Sequence, residues 1–347
     1  MQMEHLVITR FSIRGLEFKQ FDLPDPLDPD NLALRFRIFE MTCLPSLLAQ
    51  TNQDFAWILL VDKDLLPEYR EKLIQLTEDK KRVYLHNFDP SENVEGLDWL
   101  KPFWIAPPDY VLTTLLDNDD AIPDNFMSEL HSHLSEVEEG GKLPPFKIVG
   151  DKQIVQWDLL TSRKAPLGWK CPWHRGDYAA SVGFSLLCQY PQYNFSVLKL
   201  MHIHAEDYFD WASEPTSCDV IACREAFRSA AESNDENTCA WSTEDTFYDI
   251  SKDVGPVLMS NHFRNSQISR LYAKKPNREK VVGPETFPNI TLGWDRAHAY
   301  TEYFDRRKLL FDALPKVCTK CKSFIVRTVR SLKRSARRIA KAVLKKD

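Results

Sequence analysis

Residues 111–116, VLTTLL, run straight into Asp117, Asn118, Asp119 and Asp120. No other stretch restricts the fold so tightly. A short apolar, β-prone run reads as a strand buried on both faces, the habit of parallel sheets. Three carboxylates then stand where that strand ends. Pro123 follows, and residues 124–134 form an amphipathic run that reads as a helix with an early proline. Open α/β sheets bind ligands just beyond the carboxyl ends of their strands. Carboxylates this close repel one another unless a cation sits among them. Mg²⁺ suits such oxygen ligands and is commonly shared between one or two carboxylates and substrate phosphates. The alternative is a solvated acidic turn that caps the next helix.

A second stretch has the same form. Residues 43–51, CLPSLLAQT, lead into residues 57–62, WILLVD, whose last residue is Asp62. Asp62 and Asp117 stand 55 positions apart. "TTLLDNDDAIPDNF" resembles the DxD segment of GT-A glycosyltransferases, and "SLLAQT" followed by an apolar run and Asp is similar to family 2 glycosyltransferases. Residues 7–272 as a whole resemble a family of rhamnosyltransferases. The resemblance implies a GT-A, nucleotide-diphospho-sugar transferase fold: a mixed, mainly parallel sheet flanked by helices. It places Thr9, Arg10 and Phe11 at the nucleotide, Asp62 on the base or ribose, and Asp117 at the nucleotide sugar. Asp117, Asp119, Asp120 and the late His262 would hold Mn²⁺ or Mg²⁺. In "WSTEDTF", Asp245 would take the acceptor's proton beside Glu244. Ser242 or Thr243 as a helix cap, with both acids favouring the helix dipole, is the other reading of that segment. Lys63 departs from the wider superfamily, which often carries a second Asp there.

Composition narrows the function classes. The 347 residues are 43% hydrophobic and include nine Trp and twenty Phe, enough for a sizeable core. With 11 Gly there is no GxGxxG and no GxxxxGK, which argues against a dinucleotide oxidoreductase or a Walker-type kinase. The first residues lack a basic segment followed by an apolar one, and no apolar run reaches membrane-spanning length. A cytoplasmic protein, peripheral on a membrane at most, is expected. The eight Cys show no framework spacing and are expected reduced. Cys318 and Cys321 form one isolated CxxC.

Along the chain, strands are expected at residues 6–9, 55–61, 83–86 and 111–116, and helices near 31–48 and 66–76. Residues 146–149 and 153–157 read as a hairpin about Gly150 and Asp151. Residues 161–179, rich in Arg, Lys, Trp and His, read as a loop facing either the diphosphate or solvent. Strands are expected at 180–190 and 194–204, the second ending in His202 and His204, whose spacing puts both rings on one strand face. A helix is expected over 217–233, and an apolar run leads to His262. The expected organisation is a catalytic domain over 1–272, a linker and helical extension over 273–315, and a basic tail over 316–347.

Charge is divided unevenly. The net −5 resolves into +11 on residues 316–347 and −16 on the remainder. Ile325, Val329, Leu332, Ala336, Ile339, Ala340 and Val343 recur at three- and four-residue steps, with Arg and Lys on the other faces. Such a basic amphipathic helix suits an anionic membrane surface; a partner-binding or solvated helix is the alternative, and nucleic acid is disfavoured because aromatic platforms are missing. The expected activity is metal-dependent, inverting transfer of a sugar, rhamnose by the family's name, from a nucleoside-diphosphate donor to a hydroxyl on a glycan or lipid-linked glycan acceptor. Two other classes remain open: a sugar-phosphate nucleotidyltransferase, and a non-catalytic glycan-binding or scaffold protein on the same fold.

Overall fold

In the computed structural model, residues 2–14, 25–140, 143–144, 146–151, 153–158, 168–172, 182–200, 247–255, 257–261 and 281–282 are described. All lie in one compact unit, Met1–His298. The principal sheet has seven strands. β1 (Met3–Phe11), β2 (Ala56–Asp62), β3 (Val83–Phe88) and β4 (Tyr110–Leu115) are parallel neighbours in the order β3-β2-β1-β4. β8 (Phe184–Gln189) lies antiparallel between β4 and β5 (Phe146–Gly150), and β9 (Phe247–Asp249) runs parallel to β5 at the edge. The sheet is therefore mixed and mainly parallel, as the sequence predicts.

The continuous apolar runs have the cause that the sequence suggests. Every residue of β2 and β4 is buried, because elements cover both faces. On one face Val7, Phe11, Trp57, Leu59 and Leu112 pack with residues of α1 (Pro29–Met41) and α4 (Phe126–Glu139). α2 (Cys43–Leu48) joins this layer, and α3 (Pro67–Thr77) adds Leu73. On the other face Leu6, Ile8, Ile58, Leu60, Val111 and Leu115 meet two 3₁₀ turns, Asp98–Phe103 and Val197–Leu200. Asp28 caps α1 by accepting from the Asn31 N–H, at 3.1 Å, with Pro29 in the first turn.

Three expectations fail. The stretch 161–179, expected as a loop, contains a strand at Gly168–Pro172, because that run pairs antiparallel with residues 153–157. Residues 146–157 are not a hairpin. β5 pairs with β8 and β9, whereas β6 (Gln153–Asp158) joins a second sheet with β7 (Gly168–Pro172), β10 (Val257–Asn261) and β11 (Val281–Val282), in the order β10-β6-β7-β11. A local pattern cannot reveal that β5 pairs with β8 and β9, while β6 turns back on β7 and takes β10 as its other neighbour. Nor does a strand begin at Asn194: Val197–Leu200 is a 3₁₀ turn. Its Val197 N–H donates to the buried Thr113 hydroxyl at 2.8 Å, which docks it on β4. β8 itself starts at Phe184 because Gly183, at φ +67°, turns the chain just before it. No helix among the described residues is long and apolar enough to cross a membrane.

Candidate functional site

The acidic turn leaves β4 at the carboxyl end of the parallel strands. The Leu116 N–H still donates to the Ile8 carbonyl at 3.1 Å, and the Asp120 N–H closes the turn on the Asp117 carbonyl at 3.2 Å. Ala121 then bridges Leu258, donating and accepting at 2.9 and 2.8 Å, so the turn is fixed at both ends. It is not a solvated turn: Asn118, Asp119 and Asp120 are buried.

Burial of like charges needs compensation. Arg10, on β1, grips Asp117 with both ends of its fork: Nε to Oδ1 at 2.8 Å and Nη2 to Oδ2 at 2.5 Å. Burial works against the charge on Arg10, yet the Asp117 carboxylate and its neighbours hold the guanidinium pKa above its ordinary value. Arg35, on α1, reaches the same turn. Its Nη1 donates to Asp119 Oδ2 at 3.0 Å and to Asn118 Oδ1 at 3.1 Å. Asn118 Nδ2 is buried and meets no acceptor among the described residues; a donor left unmet in this way costs about 1–3 kcal/mol. The carboxylates are felt more widely: burial pushes the Cys43 thiol well up, its contact with Thr9 opposes this, and Asp120, Asp119 and Asp117 add to the rise.

β2 ends on Asp62, whose carboxylate is occupied. It accepts from the Arg14 N–H at 2.9 Å, from Arg14 Nε and Nη2 at 3.1 and 3.0 Å, and from the Asp64 N–H at 2.9 Å. Burial alone would raise its pKa; the Arg14 and Asp64 hydrogen bonds hold it below the usual value. Thr9 and Phe11 project into the core. The Thr9 hydroxyl accepts from Trp57 Nε1 at 2.9 Å, and Phe11 packs edge-on against Phe36 and Phe39 at 4.7 and 5.3 Å. Arg10, between them in sequence, faces the acidic turn. Lys63 pairs with Asp89 at 3.0 Å on the exposed side.

The structure thus joins Arg10, Asp117, Asp119 and Asp120, and sets Asp62 at the end of β2, next but one to β4 in the sheet. Arg14, Arg35 and Asn118 are partners that the sequence reading omits. Arg35 sits beside Leu34 and Phe36, and its partners lie 83 and 84 positions away, so local periodicity carries no sign of it. Glu244, Asp245 and His262 lie outside the described residues, as do His202, His204, the CxxC, the tail and most of 161–179. β9 starts at Phe247 and parallels β5, so the residue it carries to the carboxyl end is Asp249. Among the described residues no group of three His, Cys, Asp or Glu is arranged to hold a metal. Asp117 is paired with Arg10 and Asp119 with Arg35, and the carboxylates of the turn are hard oxygen donors of the kind Mg²⁺ and Mn²⁺ prefer.

Residues 4–155 match the family described as "Putative rhamnosyl transferase", a span that includes every residue of the site from Arg10 to Asp120. No curated protein matches the chain. Among solved structures, similarity is found to TarS 1–349 of S. aureus, at 14% identity, covering 47% of this chain and 38% of that one, with a TM-score of 0.26. The same protein in complex with UDP-GlcNAc gives 15%, 47%, 37% and 0.26. A 4-diphosphocytidyl-2C-methyl-D-erythritol synthase from Anaerococcus prevotii gives 12%, 86%, 96% and 0.26. The chain spans less than two fifths of the TarS chains it matches.

Proposed function

We propose that this chain is a glycosyltransferase that moves a sugar from a nucleoside-diphosphate donor to a hydroxyl acceptor. One observation carries the reading. The matched family span contains a buried carboxylate turn at the carboxyl end of β4, balanced by Arg10 and Arg35. Rhamnose is the proposed sugar by the family's description, and inversion at the anomeric carbon follows the family 2 resemblance.

Arg10 holds Asp117 in one orientation, and Arg35 does the same for Asp119. Asp119 and Asp120, with His262, are the proposed holders of a divalent cation, which supplies Lewis-acid neutralisation of the leaving diphosphate when bound. Asp62, tied to Arg14, keeps the exit of β1 against the end of β2, where the nucleoside is proposed to lie. Asp245 is the proposed general base, with Glu244 beside it; such a group contributes roughly 10²–10⁴-fold. The acceptor is proposed to be a glycan carried on an anionic membrane surface, which the basic tail would meet.

The test is a screen of nucleotide sugars with and without glycan acceptors, scored by nucleoside diphosphate released. Release that needs Mg²⁺ or Mn²⁺ and stops on chelation supports the reading. Release of pyrophosphate from a nucleoside triphosphate and a sugar phosphate would instead establish a nucleotidyltransferase.

A further inference from the structure

Asn118 is buried at 2% exposure in the middle of the acidic turn. Its carbonyl oxygen accepts from Arg35 Nη1. Arginine has only donors, so this bond fixes which end of the amide faces Arg35. Nδ2 is thereby turned the other way, where it is buried and has no acceptor among the described residues. An amide N–H₂ has no lone pair to offer a metal, so a cation does not answer its need. It needs an oxygen that accepts. Asp117 and Asp119 on either side are already engaged by Arg10 and Arg35, and the turn stands at the carboxyl end of the sheet, where ligands of α/β folds sit.

We propose that Asn118 touches the ligand directly, donating from Nδ2 to a phosphate oxygen of the nucleoside diphosphate, and that Arg35 is the positioning residue that aims this amide. The proposal rests on the glycosyl-donor reading above and goes beyond its cation: it assigns one neutral hydrogen-bond donor to the leaving group. Charge and donor are then supplied separately, with the arginines neutralising the turn and Asn118 giving the directional bond.

The experiment is titration calorimetry of UDP, GDP and dTDP, each with Mg²⁺, against the full chain and its variants. Asn118→Ala removes the donor without adding charge and should weaken the bound diphosphate about tenfold or more, as expected for a lost bond to a charged group. Asn118→Asp keeps an acceptor for Arg35 but loses the donor, and should weaken binding at least as much. Because Asn118→Asp also adds a negative charge to the turn, Asn118→Ala carries the comparison: if Asn118 merely held the turn, Asn118→Ala would lower the melting temperature and leave the affinity of the folded protein unchanged. Arg35→Ala should also weaken binding, and the loss from Asn118→Ala should shrink on that background, because the two act through one bond. Variants at Asn118 that bind within about twofold of wild type would overturn the contact. Additive losses would overturn the role of Arg35. Wild-type protein that bound none of the three would overturn the donor reading itself, and the contact with it.

Discussion

The fork of Arg10 on Asp117 is a nearly buried ion pair, and such pairs matter most when one partner is removed. Arg10→Ala leaves the Asp117 carboxylate largely desolvated and should destabilise the fold by about 2–4 kcal/mol, read from chemical denaturation. Asp119→Ala should act differently. Arg35 keeps its bond to Asn118, so the melting temperature should change little. Mn²⁺ affinity should fall at least about 10- to 100-fold, the loss that even outer partners of a metal site cause. A variant that bound Mn²⁺ as tightly as wild type would remove Asp119 from the site. The carboxylates are legible in the sequence because a charge cluster after an apolar run is a local signal. The arginines that balance them are not, because Arg10 and Arg35 meet their partners across more than 80 positions. For the base, Asp245→Asn should reduce turnover by at least about 10²-fold while leaving donor binding intact. Asp249→Asn is the companion variant, since Asp249 is what β9 brings to the carboxyl end.

At the level of elements, β1, β4, β8 and α4 share a buried polar chain. His5 Nδ1 meets His131 Nε2 at 2.8 Å, His5 Nε2 meets Thr114 Oγ1 at 2.9 Å, and Thr114 meets Ser185 at 2.7 Å. Burial lowers the pKa of both histidines; His131 and Arg82 press further on His5, while Asp54 opposes the shift at His131. Burial also brings His133, stacked on Tyr248, down to about 4. In the unfolded chain these rings protonate near pH 6.5, whereas in the fold they remain neutral to lower pH. Below about pH 6.5 the unfolded state therefore binds more protons, and stability falls as pH falls. Melting temperature should drop between pH 7.5 and 5.5, and His131→Gln should flatten that slope; an unchanged slope would contradict the assignment. Gly183 is the other tight point. A Cβ there would lie 2.9 Å from Phe126 Cζ and 3.1 Å from Ile122 Cγ2, at φ +67°. Gly183→Ala should cost roughly 2–3 kcal/mol. β2 and β4 were readable because burial on both faces leaves an unbroken apolar run. The parting of β5 from β6 was not, because β5 pairs with β8 and β6 with β10, partners 35 or more positions away.

The whole molecule combines an acidic body with a tail of net +11. If residues 316–347 lie on an anionic membrane, each cation near the surface contributes about 1 kcal/mol. Full-length protein should then float with anionic liposomes at low salt, and a version ending at Leu314 should not; equal flotation of both would sink the membrane proposal. The central claim, however, concerns the sheet. Its parallel strands β1, β2 and β4 deliver Arg10, Asp62 and the 117–120 turn to the same end, and that end is where a nucleoside diphosphate should sit. A crystal structure of the full chain grown with a nucleoside diphosphate and Mn²⁺ tests this most directly. The account predicts diphosphate density within hydrogen-bonding distance of Asn118, with Mn²⁺ on Asp119 or Asp120. A nucleotide bound away from the carboxyl ends of β1, β2 and β4 would contradict it.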